Sequence, residues 1–133
     1  MTRIITLLFV CTSLVLSAQQ RPFWNEIKEF KAADSLHAPP GNAIVFVGSS
    51  SFKMWKNLDK AFPNHKVINR GFGGSSLPHV IDYADDIVTP YNPKQVVIYC
   101  GDNDFMNHTV TSEMVVNRFR TLFDILRTKI PKA

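Results

Sequence analysis

Between residues 43 and 104 the chain shows one pattern three times: a short, unbroken apolar run followed by a cluster of glycine and small polar residues. The runs cover residues 43–47, 66–68 and 95–100, and the clusters cover 48–51, 69–75 and 101–104. Runs that do not alternate between polar and apolar positions predict strands covered on both faces, as in a parallel sheet between helices. Amphipathic segments separate them. Residues 52–62 predict one short helix. Residues 78–88 predict another, with Val80, Ala84, Ile87 and Val88 inward and Asp82, Asp85 and Asp86 outward. Ser75 or Ser76 stands at its cap position, and Pro78 falls in its first turn. Residues 111–130 place Val115, Phe119, Leu122 and Leu126 on one helical stripe. Upstream, Phe23, Trp24, Ile27 and Phe30 recur at helical spacing across 22–34, a helix expected to pack against the sheet. The prolines and glycine of 37–41 end it as a linker.

Strands alternating with helices imply right-handed crossovers and an α/β fold built on a doubly wound parallel sheet. Ligands of such sheets bind beyond the carboxyl ends of the strands. All three polar clusters fall there, so together they predict a site.

Composition narrows the class. Of 133 residues, 45% are hydrophobic and 20% charged, which excludes disorder, collagen and a coiled coil. The net charge of +4 comes without any Lys/Arg run, so nucleic acid is not an expected partner. Met1-Thr-Arg3, the apolar stretch 4–16 and the small pair Ser17-Ala18 predict a secretory signal peptide, residues 1–18, and a periplasmic or secreted product. That stretch falls short of the ~20 apolar residues of a spanning helix, and Val10 before Cys11 does not suit a lipid anchor, so no stable membrane anchor is expected. Cleavage removes Cys11 and leaves Cys100, which reads as a buried strand residue with no basic neighbour and no disulfide partner.

The clusters suit acyl-transfer chemistry. A serine on a tight strand-to-helix turn is exposed, and backbone N–H groups of the helix start point at what bonds to it. Ser50 is so placed, with Ser49 and Ser51 as competing positions. Gly74 lets a backbone N–H approach a ligand, because no side chain shields it. The Asn103 amide donates without changing charge. One nucleophile and three donors match a tetrahedral intermediate. Of the histidines, His37 and His65 read as solvated, while His79 and His108 follow the second and third clusters and are candidates for substrate binding. No histidine pair has metal-ligand spacing with a third partner nearby, and the 71–76 glycines do not complete a dinucleotide fingerprint, so no cofactor or metal is expected. Arg70 reads as a solvated loop charge and Trp55 as a core residue.

Phe46-Val-Gly-Ser-Ser-Ser51, Asn69-Arg-Gly-Phe-Gly-Gly-Ser75 and Gly101-Asp-Asn-Asp104 resemble, in that order, the first three sequence blocks of the SGNH/GDSL hydrolase family. Order and spacing are nearest to its platelet-activating-factor-acetylhydrolase-like branch. The resemblance implies a flavodoxin-like sandwich with the second strand at one edge, the first in the middle and the third beside it. It also implies Ser50 as nucleophile, with Gly74 and Asn103 completing the oxyanion hole. Ser49 occupies a position where the family usually has Asp. The family's Asp-x-x-His block, which carries the general base, has no counterpart in residues 104–133. On this reading, residues 19–42 are a leading helix and linker. Residues 43–133 are the N-terminal portion of an SGNH hydrolase domain, truncated after the third strand and its helix. The expected function is an exported serine esterase acting on a small-molecule, glycan or lipid ester. The alternative is a non-catalytic ligand-binding remnant of the same fold.

Overall fold

The computed structural model describes residues 21–133; the signal peptide expected over 1–18 lies outside them. Three parallel strands, β1 (Ile44–Gly48), β2 (Val67–Gly71) and β3 (Gln95–Tyr99), form a sheet in the order β2-β1-β3. Among the described residues, five helices surround it: α1 (Trp24–Leu36), α2 (Ser50–Met54), α3 (Leu58–Ala61), α4 (Leu77–Ile87) and α5 (Ser112–Lys129). Short 3-10 turns occupy Thr89–Tyr91 and Asn103–Met106.

β1 is buried at every position because it has a strand on each side and helices over each face. Val45 and Val47 join Ile68, Val80, Ile87, Leu122, Leu126 and Ile27 in the larger core. Ile44 and Phe46 point the other way, onto Phe52 of α2 and Leu58 of α3. That two-sided burial is why the strand shows no alternation. The register runs from Ile44 opposite Val67 and Gln95 to Gly48 opposite Gly71 and Tyr99, so the three strands end level. The three polar clusters therefore rise from one edge of the sheet.

Five local features depart from the sequence-based expectation, the first being Trp55, which is exposed rather than part of the core. The helix expected over 52–62 is two helices, because the Asn69 side chain from β2 donates to the carbonyls of Phe52 (2.6 Å) and Trp55 (3.3 Å) and ends α2 there. β2 continues through Asn69, Arg70 and Gly71 instead of stopping at Ile68. Arg70 is not a solvated loop charge. It is 9% exposed, its guanidinium pairs with Asp34 of α1 (2.5 Å) and donates to the Tyr91 hydroxyl (2.8 Å), and it lies over the Phe30 and Tyr91 rings. On α5, Leu122 and Leu126 are buried but Phe119 is exposed.

The leading helix packs chiefly along α4 rather than on the sheet face. Ile27 enters the core, Trp24 stacks on Tyr83, and Lys31 pairs with Asp86 at 2.6 Å. Just before it, Phe23 takes a left-handed backbone (φ +61°), costly for a bulky residue. Its ring sits edge-on to Phe72 and His79, and this packing holds the conformation.

Candidate active site

β1 delivers its serine cluster through one glycine. Gly48 has φ +148°, and a Cβ there would lie 2.0 Å from the Tyr99 carbonyl oxygen on β3. The chain then turns, Ser49 N–H donates to that same carbonyl (3.1 Å), and α2 begins at Ser50. The first N–H groups of any helix lack intrahelical acceptors, so those of Ser50 and Ser51 are available to a ligand. The three serines differ in access. Ser49 is 1% exposed and its hydroxyl has no hydrogen-bond partner, Ser50 is half-buried, and Ser51 is exposed on the helix.

The second cluster is fastened to the first. Phe72 is fully buried, and its N–H donates to the Gly48 carbonyl at 3.0 Å. The buried Ser75 hydroxyl donates to the same oxygen at 3.1 Å. Between these two anchors, Gly74 adopts φ +62°, is exposed, and has no atom within 4 Å of where a Cβ would stand. Its backbone is thus open to a ligand, in a conformation that glycine adopts at little cost.

The third cluster is fastened to the second. Asn103 Nδ2 donates to the Ser75 carbonyl at 3.0 Å. An amide nitrogen carries two protons, so this bond orients the side chain and leaves one N–H to donate. Asp104 beside it has a fully buried side chain, whose carboxylate accepts from the Leu77 N–H at the start of α4 (2.8 Å) and from Arg118 of α5 (2.7 Å). Ser75 is thus the hub of the site, and Asp104 ties its third loop to two helices.

The histidines near the clusters are placed differently from one another. His79 completes a capping box at the start of α4: its Nδ1 accepts from Ser76 N–H (3.1 Å) and lies 2.8 Å from the Ser76 hydroxyl. Nδ1 is thus committed to the helix cap rather than turned toward Ser50. His108 is exposed in the turn between Met106 and α5. Cys100 is half-buried, its Sγ 3.5 Å from the Ser75 carbonyl. Burial, with Asp104 nearby, pushes its thiol up to about 12, which leaves no thiolate nucleophile at neutral pH.

A cleft of about 420 Å³ lies beside these residues, not over them. Glu26, Lys53, Trp55, Asn69 and Gly71 are among its walls, and Ser50, Gly74 and Asn103 are not. No helix among the described residues is long and apolar enough to cross a membrane.

No family model matches the sequence, and no curated protein matches it significantly. Solved structures do. A candidate platelet activating factor from Streptococcus pneumoniae superposes with TM-score 0.68 at 17% identity, over 82% of this chain and 50% of its own. A candidate acylhydrolase from Bacteroides fragilis gives 0.67 at 19% identity, over 80% and 54%. A GDSL-like lipase from Bacteroides thetaiotaomicron gives 0.66 at 19% identity, over 78% and 54%. The three-stranded parallel sheet with its flanking helices matches the α/β fold of these structures, and this chain spans about half the length of each.

Proposed function

We propose that this chain carries the nucleophile and oxyanion hole of an exported serine esterase acting on an acyl or acetyl ester. Ser50 Oγ attacks the ester carbonyl. The Ser50 and Gly74 N–H groups and the second Asn103 Nδ2 proton hold the oxyanion. A histidine outside these 133 residues takes the Ser50 proton and returns it to the departing alcohol, and water then releases the acyl group from Ser50. The substrate is a small-molecule, glycan or lipid ester, and the chemistry calls for no cofactor.

One observation carries this reading. The hydrogen bonds from Ser75 to Gly48 and from Asn103 to Ser75 lock three separate loops together, yet leave Ser50, Gly74 and one amide proton available. The likeness to GDSL-like lipases and acylhydrolases supports it.

The test is labelling and turnover with the intact protein. A fluorophosphonate probe should modify Ser50, and Ser50→Ala should abolish both labelling and hydrolysis of a chromogenic acetyl ester, while Ser49→Ala and Ser51→Ala retain both. Asn103→Ala should lower kcat by roughly 10²–10³ with little change in KM. Labelling at Ser49 would move the nucleophile by one residue. Binding of an ester analogue without labelling or turnover would favour the ligand-binding remnant.

A further inference from the structure

The loop that would supply the Gly74 donor contains two adjacent glycines, the sequence least able to hold its own shape. Its ends are pinned at Phe72 and Ser75. Its middle is held by a residue of the leading helix. Glu26 of α1 accepts the Gly73 N–H through Oε2 at 3.1 Å, and the same oxygen pairs with Lys53 Nζ of α2 at 2.8 Å. Lys53 lies on the helix that begins with Ser50, so one carboxylate joins α1, the nucleophile helix and the glycine loop. Gly73 fits closely beneath these two side chains. A Cβ there would stand 3.2 Å from both Glu26 Oε1 and Lys53 Nζ.

We infer that Glu26 is a positioning residue, and that the leading helix works as a brace for the oxyanion loop. The inference rests on the esterase reading for its catalytic consequence, though the bracing itself does not. α1 is itself seated firmly enough to brace: Trp24 lies on Tyr83, Ile27 is in the core, and Asp34 holds Arg70. A carboxylate fixed on this helix restrains the Gly73 peptide before substrate arrives, so the neighbouring Gly74 N–H needs no reordering during the reaction. Preorganised donors act on the transition state, so loss of the brace should appear in kcat rather than KM.

The experiment uses the intact protein and four variants: Glu26→Ala, Glu26→Gln, the same-helix control Glu29→Gln, and Lys31→Ala, which loosens α1 from α4 without touching the loop. Amide hydrogen exchange at Gly73 reads the brace without any need for turnover. Exchange at Gly73, whose N–H the carboxylate accepts, should quicken about tenfold or more in Glu26→Ala. Glu26→Gln, which keeps a carbonyl acceptor, should retain most of the protection, and both controls should match wild type at Gly73. With an acetyl ester, kcat should fall about tenfold in Glu26→Ala at nearly constant KM and recover largely in Glu26→Gln. Lys31→Ala should lower the melting temperature while leaving kcat alone. Unchanged exchange in Glu26→Ala would overturn the inference whatever the activity, as would unchanged kcat in a variant whose parent depends on Ser50. If Ser50→Ala leaves hydrolysis intact, the esterase reading falls, and exchange at Gly73 alone decides whether the brace exists.

Discussion

Ser49, Ser50 and Ser51 share a side chain and have three different environments. Ser49 lies inside with an unpaired hydroxyl, an arrangement that costs about 1–3 kcal/mol where a polar atom is cut off from water. Ser51 faces solvent, and only Ser50 stands at the helix start with partial access. Burial also sets a pH dependence. It raises the Cys100 thiol from its ordinary 9.0 to about 12, with Asp104 adding to the effect. Burial and Asp34 raise the Tyr91 hydroxyl from 10.0 to about 12. Both groups keep their protons in the folded chain at a pH where the unfolded chain releases them. Unfolding is then coupled to proton loss, and stability falls as pH climbs from the unfolded values toward the folded ones. Urea midpoints measured from about pH 8 to about pH 11 should decline, and Cys100→Ser should flatten the early part of that decline. A level or rising midpoint in wild type would contradict the assignment. At this scale the polar clusters made Ser50, Gly74 and Asn103 legible as candidates. Ser75, Asp104, Arg118 and Glu26 were not legible in these roles, because each depends on a partner brought close by folding.

Elements form where local pattern and partners agree. β1, β3 and α4 lie within a residue or two of the positions their apolar spacing predicts, and β2 and the 52–62 segment do not. The reason is the same in both places. Asn69 and Arg70 look like loop residues until the carbonyls of α2 and the Asp34 carboxylate are set against them. Gly48 is the element-scale counterpart, a single position on which the packing of β1 against β3 and the turn into α2 both depend. Gly48→Ala should cost ~3 kcal/mol or more, because the new methyl meets backbone that cannot move aside. Gly41→Ala, with nothing within 4 Å of its Cβ, should match or slightly exceed wild-type stability. Urea unfolding of the two variants side by side would check this, and equal midpoints would refute it.

Across the whole molecule, the sheet ends at β3, whose outer edge has no strand partner among the described residues. Tyr99 on that strand is exposed, as are Val116, Phe119 and Phe123 on α5. An apolar edge strand with no charged gatekeeper templates pairing with other chains. Residues 19–133 expressed alone should therefore self-associate in sedimentation velocity as concentration rises. Phe119→Lys with Phe123→Lys should reduce association without lowering the melting temperature, and a wild-type monomer across the whole range would sink the idea. The α/β class, the strand-then-helix order and the gathering of polar clusters at strand ends follow from the sequence alone, because apolar runs, turn residues and caps act over a few neighbouring positions. The order of the strands was legible only through resemblance. Tertiary structure alone decided that Ser75 holds the three loops together, that Arg70 is buried, and that the leading helix reaches the glycine loop through Glu26. Those contacts join residues 27 to 47 positions apart. Whether a polar side chain is solvated or buried in a bond depends on where the rest of the chain runs, which no local pattern encodes.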